Sequence, residues 1–84
     1  MKLDKNQIKI LRDLLPKGSI SAIEKRLYKR KTPFSFNYIN QVLDPDNNRY
    51  NAVIVDEAFL YIEELKAKEN RLSLRLSALD ENDN

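Results

Sequence analysis

Three amide side chains, Asn37, Asn40 and Gln41, fall within five consecutive residues, and five cations, Lys25, Arg26, Lys29, Arg30 and Lys31, precede them. An amide carries a donor and an acceptor side by side, the pair that matches the N6 and N7 edge of adenine in the major groove of duplex DNA. Lysine and arginine neutralise phosphates and release counterions, which supplies affinity without sequence preference. The amides can act together only if a rigid element holds them on one face. Stepping about 100° per residue along a helix does so, placing Asn37, Asn40, Gln41 and Asp44 opposite Phe36, Ile39, Val42 and Leu43.

Each of these groups has a plainer reading. Amides on a short helix are commonly just polar surface, and a tyrosine such as Tyr38 commonly buries its ring. The basic run is the firmer signal, because five like charges in seven residues repel one another unless an anion is near.

The surrounding pattern predicts how these residues are positioned. A first helix is expected from Asp4 to Leu15, with Asp4 as N-cap and Ile8, Leu11, Leu14 and Leu15 as its apolar stripe. Pro16-Lys17-Gly18 ends it, Gly18 supplying a left-handed turn. A second helix is expected from Ser21 to Arg30, opened by a Ser21-x-x-Glu24 capping box. Thr32-Pro33 interrupts it, since the residue before proline disfavours the helical region. Ser35 then caps a third helix, Phe36 to Leu43, although Thr32 as cap with Pro33 in the first turn is an alternative start. Asp44-Pro45-Asp46-Asn47-Asn48 is dense in turn formers.

A long helical pattern follows from Asn51 to Leu79. Its first half is apolar almost all round, which requires burial on more than one side. Val55, Ala58, Ile62, Leu65, Glu69, Leu72, Leu76 and Leu79 are spaced alternately by three and four, a heptad seam with one charged occupant. Ile62, Leu65, Leu72, Leu76 and Leu79 are therefore the expected dimerisation residues. Leu72, Leu74 and Leu76 also alternate with polar residues as in a strand, but the absence of Gly and Pro favours helix. The expected division is a DNA-binding region over 1–50, a packing and dimerisation helix over 51–79, and a frayed tail over 80–84.

Composition narrows the function. The 84-residue chain has no cysteine and no histidine, which removes disulfides, Cys/His zinc sites and the commonest general base. No glycine-rich loop accompanies the single glycine, so an enzyme is not expected, nor a metal, a cofactor or a small-molecule substrate. No apolar run approaches the roughly 20 residues that span a bilayer, and nothing resembles a signal peptide, so the expected location is the cytoplasm. Residues 1–31 hold ten cations against three acids, a balance of +7 that leaves −5 for the remainder of a chain whose total is +2. An anionic partner would dock on the basic end.

At this point the pattern Ser35-x-x-Tyr38-Ile39-x-x-Val42-Leu43, with Asn48-Arg49, Asn51, Ile54 and Ala58, resembles the recognition helix and following helix of lambda-repressor-like (Cro-type) helix-turn-helix proteins, especially the short forms of phages and mobile elements. The resemblance covers roughly Leu15 to Ile62. It implies a helix opened at Ser35, a core containing Ile39, Val42 and Leu43, and sequence-specific DNA binding in transcriptional regulation. The segment Tyr28 to Phe34 is longer than that family's turn and lacks its glycine, so either the turn is expanded or the second helix runs on.

The expectation is thus an all-α protein: a helix-turn-helix bundle of three short helices plus one long C-terminal helix that pairs with a second copy. It would bind double-stranded DNA with Asn37, Asn40 and Gln41 at base edges and Lys25, Lys29, Arg30, Lys31, Ser35, Tyr38 and Arg49 at the backbone. The competing readings are a DNA-packaging or architectural oligomer, and a protein-interaction module that binds no nucleic acid.

Overall fold

The computed structural model describes residues 2–82, with side chains described for 2–77. Four helices follow in order: α1 (Lys5–Leu14), α2 (Ser19–Lys29), α3 (Phe36–Val42) and α4 (Ala52–Asn82). No strand occurs among the described residues, and α4 runs unbroken through 70–79, so the strand alternative for that segment falls.

The helix ends follow from their capping residues. Asp4 accepts from the Gln7 backbone N–H at 2.8 Å while the Gln7 side chain accepts from the Asp4 N–H at 2.9 Å, a reciprocal box with an amide in place of the usual Glu. Leu15 is extended, as the residue before Pro16 must be, so α1 stops at Leu14. The expected Ser21 box does not form. Gly18, at φ 86, is the N-cap of α2, and the Ser19 hydroxyl donates to the Pro16 carbonyl at 2.6 Å. The proline turn thereby starts the helix two residues early and leaves Ser21 exposed inside it.

The end of α2 is a Schellman motif. The Thr32 N–H donates to the Leu27 carbonyl at 3.0 Å and the Lys31 N–H to the Tyr28 carbonyl at 3.1 Å. Such a motif needs a left-handed residue, and Lys31 takes that place at φ 61. The connection to α3 is therefore the expanded turn, Arg30 to Ser35, rather than a longer α2. Ser35 caps α3, its hydroxyl accepting from the Tyr38 N–H at 3.2 Å. At the start of α4, Asn51 Oδ1 accepts from Val53 and Ile54 N–H groups at 3.0 and 3.3 Å.

All four helices share one core. Ile8 and Leu11 from α1, Ile23 and Leu27 from α2, Ile39, Val42 and Leu43 around α3, and Ile54, Val55, Ala58 and Ile62 from α4 are buried together. Two expected core positions lie outside it. Leu14 is 49% exposed and Phe36 is 43% exposed, each at the edge of its helix's apolar arc. The first third of α4 completes the bundle, so the bundle extends past residue 51 into the long helix. Ile62, one of the residues expected to meet a second copy, packs in this core at 6% exposure.

Beyond Ile62 the helix leaves the bundle. The radius of gyration of 16.1 Å exceeds the ~12 Å of a compact chain this long, and the longest dimension is 56 Å. The projecting arm accounts for both. Leu72 and Leu76 are 59% and 54% exposed along it, and Leu65 is half-buried at its base. The side chains of Leu79 and of the whole tail expected at 80–84 lie outside the described side chains; the helix itself continues to Asn82.

Candidate nucleic-acid interface

The short α3 buries Ile39 and Val42 against the bundle and turns its amide face outward. Asn37 is exposed and Gln41 half-exposed. Asn40 is held in place: Arg12 Nη2, reaching from α1, donates to its Oδ1 at 2.9 Å. Arg12 Nη1 is buried and makes no hydrogen bond among the described residues. The sequence offers no sign of this tether, because Arg12 is one of three cations on α1, with Lys5 and Lys9, and nothing in the spacing sets it apart.

Tyr38 packs more than it presents. Its ring lies 5.5 Å from that of Phe34, and its hydroxyl accepts a long, 3.5 Å hydrogen bond from Asn51 Nδ2. Ser35 uses a lone pair as the α3 cap and keeps its O–H free to donate to a phosphate. Arg49 is exposed in the loop before α4, where its N–H donates to Asn47 Oδ1 at 3.1 Å.

The basic run divides in two. Glu57 of α4 is 3% exposed and receives Arg26 Nε at 2.6 Å on one oxygen and Arg30 Nε at 3.0 Å on the other. Arg26 also forks onto Glu64 one turn pair further along α4. The hydrogen bond to Glu64, opposed by partial burial and reinforced by Glu57, holds the Arg26 guanidinium above its ordinary pKa. The same bond holds Glu64 below the usual carboxylate value, against a smaller opposing effect of desolvation. The repulsion expected of the run is thus partly answered within the chain. Arg30 stands as a structural cation first, half exposed beyond its bond to Glu57. Lys25, Lys29 and Lys31 are exposed and make no ion pair among the described residues.

Glu57 and Glu64 were legible in principle: seven residues apart, they share a helix face, and Arg26 and Arg30 share one in the same way. Beside Lys25 and Lys29, Tyr28 stands 74% exposed, and with Pro33 and Phe34 it lines a shallow cleft of about 460 Å³. No group of acidic residues among those described is arranged to hold a metal ion, and no described helix is long and apolar enough to cross a membrane. Family models, curated proteins and solved structures were each searched, and none matches this chain.

Proposed function

We infer that this protein is a sequence-specific double-stranded DNA-binding protein, a small transcriptional regulator acting as a dimer with α3 in the major groove. The observation that supports it most is the pairing of two different surfaces. An outward amide face on α3, with Asn40 fixed by Arg12, adjoins the end of α2 and its closing turn, where Lys25, Lys29 and Lys31 make no ion pair among the described residues. The amides supply adenine-matching edges and the lysines supply phosphate neutralisation. Arg49 and the Ser35 hydroxyl add backbone contacts on either side of α3.

Titrating a fluorescent duplex at several salt concentrations tests this reading. Affinity should fall with salt at a log–log slope of about −0.9 per phosphate neutralised. Binding that is absent at low salt contradicts it.

The protein-interaction reading has one specific observation in its favour, the exposed Tyr28 ring over the Pro33–Phe34 cleft. Under that reading Tyr28→Ser abolishes partner capture. Under the DNA reading it leaves the sequence preference of binding unchanged.

A further inference from the structure

We propose that Arg12 fixes the sense of the Asn40 amide, so that Asn40 offers donors alone to the major groove and selects guanine, where Asn37 and Gln41 can take adenine. The proposal rests on α3 reading duplex DNA, and names one of the bases it reads and the residue that sets the choice. An arginine side chain only donates hydrogen bonds. The Asn40 atom that receives Arg12 Nη2 at 2.9 Å is therefore the amide oxygen, and Nδ2 is turned the other way. A half-turn of the amide would set donor against donor.

The pin is rigid at both ends. Leu11, the residue before Arg12, is 1% exposed in the core, and Ile39, the residue before Asn40, is 0% exposed. The guanidinium is itself enclosed, with Nη1 buried. That nitrogen is the only unpaired side-chain nitrogen or oxygen buried among the described residues, and Asn40 Nδ2 donates to none of them. Nδ2 is therefore open to solvent, with two N–H groups unused. Asn37 is exposed and Gln41 half-exposed, and neither side chain is pinned in this way.

The fixed sense changes which base fits. An unpinned amide pairs with adenine by accepting from N6 and donating to N7, which uses both of its ends. Asn40 has its oxygen turned to Arg12. The oxygen keeps a second lone pair, but a base N–H approaching it meets the guanidinium charge. The nitrogen is left to choose among acceptors. Guanine presents two, N7 and O6, whereas adenine presents N7 beside an opposing N6 donor, cytosine presents a donor, and thymine sets a methyl group beside its single acceptor. A hydrogen bond accepted at Oδ1 also polarises the amide and strengthens donation from Nδ2. Guanine is the edge that matches.

The test selects random duplexes on the parent, Asn40→Asp and Arg12→Met, with melting curves of these and of Asn40→Ala. Aspartate keeps an oxygen for Arg12 and removes the donors, so it separates base reading from a merely structural bond. Asn40→Asp should melt above Asn40→Ala and lose preference at one base pair. The parent's motif should hold guanine there, favoured over adenine by about tenfold. Arg12→Met frees the amide and should move that preference toward adenine. Replacing the guanine by 7-deazaguanine, which lacks the N7 acceptor, should weaken the parent and leave Asn40→Asp unchanged. Adenine at that position in the parent, or a motif unaltered in Asn40→Asp, overturns the proposal and leaves the DNA reading standing. A parent that retains no duplex even at low salt sinks the DNA reading, and the proposal with it.

Discussion

Arg12 and Asn40, 28 residues apart, meet through a 2.9 Å hydrogen bond that ties the first helix to the middle of the outward face of α3. The bond gives Asn40 a different standing from its neighbours. Asn37 has no such tether, so its removal should act on recognition alone. Asn37→Ala is expected to leave thermal stability within about 0.5 kcal/mol and relax preference at one base pair by about 1–3 kcal/mol. Asn40→Ala is expected to lower both stability and affinity, because Arg12 loses its partner. Melting curves read beside binding to a panel of duplexes separate the two. Equal behaviour of the two variants would mean the tether does nothing.

The carboxylate of Glu57 is the buried link between α2 and α4. Arg26→Ala strips one of its two cations and leaves it facing Arg30 alone, in a site only 3% exposed. A loss of about 2–4 kcal/mol is expected in urea melts, against total stabilities of about 4–13 kcal/mol for a chain of this size. Replacing Arg26 and Glu57 together by leucine and methionine should cost less than Arg26→Ala, since it leaves no charge stranded.

Acid should weaken this junction in a defined window. Glu64 titrates below its ordinary 4.5 in the folded protein because Arg26 donates to it. A group whose folded value is depressed adds stability above its unfolded value and loses it as pH falls through the folded one. The contribution is therefore whole above pH 4.5 and disappears below it. Glu64→Gln should flatten that part of the stability profile and leave the profile above pH 5 parallel to that of the parent. Arg26, raised beyond any accessible pH, adds no slope of its own.

Lys31 holds the left-handed position that closes α2, at φ 61, where glycine would meet no steric cost. Lys31→Gly should raise stability by about 1 kcal/mol, from the relief of that backbone. The same change removes one exposed cation, so the slope of duplex affinity against salt should shrink by about 0.9. A more stable protein that binds less tightly is the expected outcome. Unchanged binding would take Lys31 off the list of phosphate contacts.

The fold was more legible than the site. Helical spacing located all four helices, because an amphipathic stripe of Ile8 and Leu11 or of Ile23 and Leu27 reflects burial directly. Ser21-x-x-Glu24 has the letters of a capping box that does not form, because the Pro16–Gly18 turn fixes the chain for a helix beginning at Ser19. A heptad seam reads the same whether the protein's own bundle or a second copy covers it, so spacing alone groups Ile62 with Leu65 and Leu72 although it packs in the core. Arg12, and the division of the basic run into Glu57-bound arginines and open lysines, depend on which helices pack together. Pairwise spacing along one helix does not contain that.

The most direct test of the account is selection from a pool of random duplexes at moderate salt, followed by sequencing of what the protein retains. An enriched motif with two-fold symmetry is expected, its half-sites about one helical turn apart, with preference relaxed at single base pairs in Asn37→Ala and Gln41→Ala. Retention without enrichment would contradict base reading by α3. No retention even at low salt would contradict DNA binding altogether.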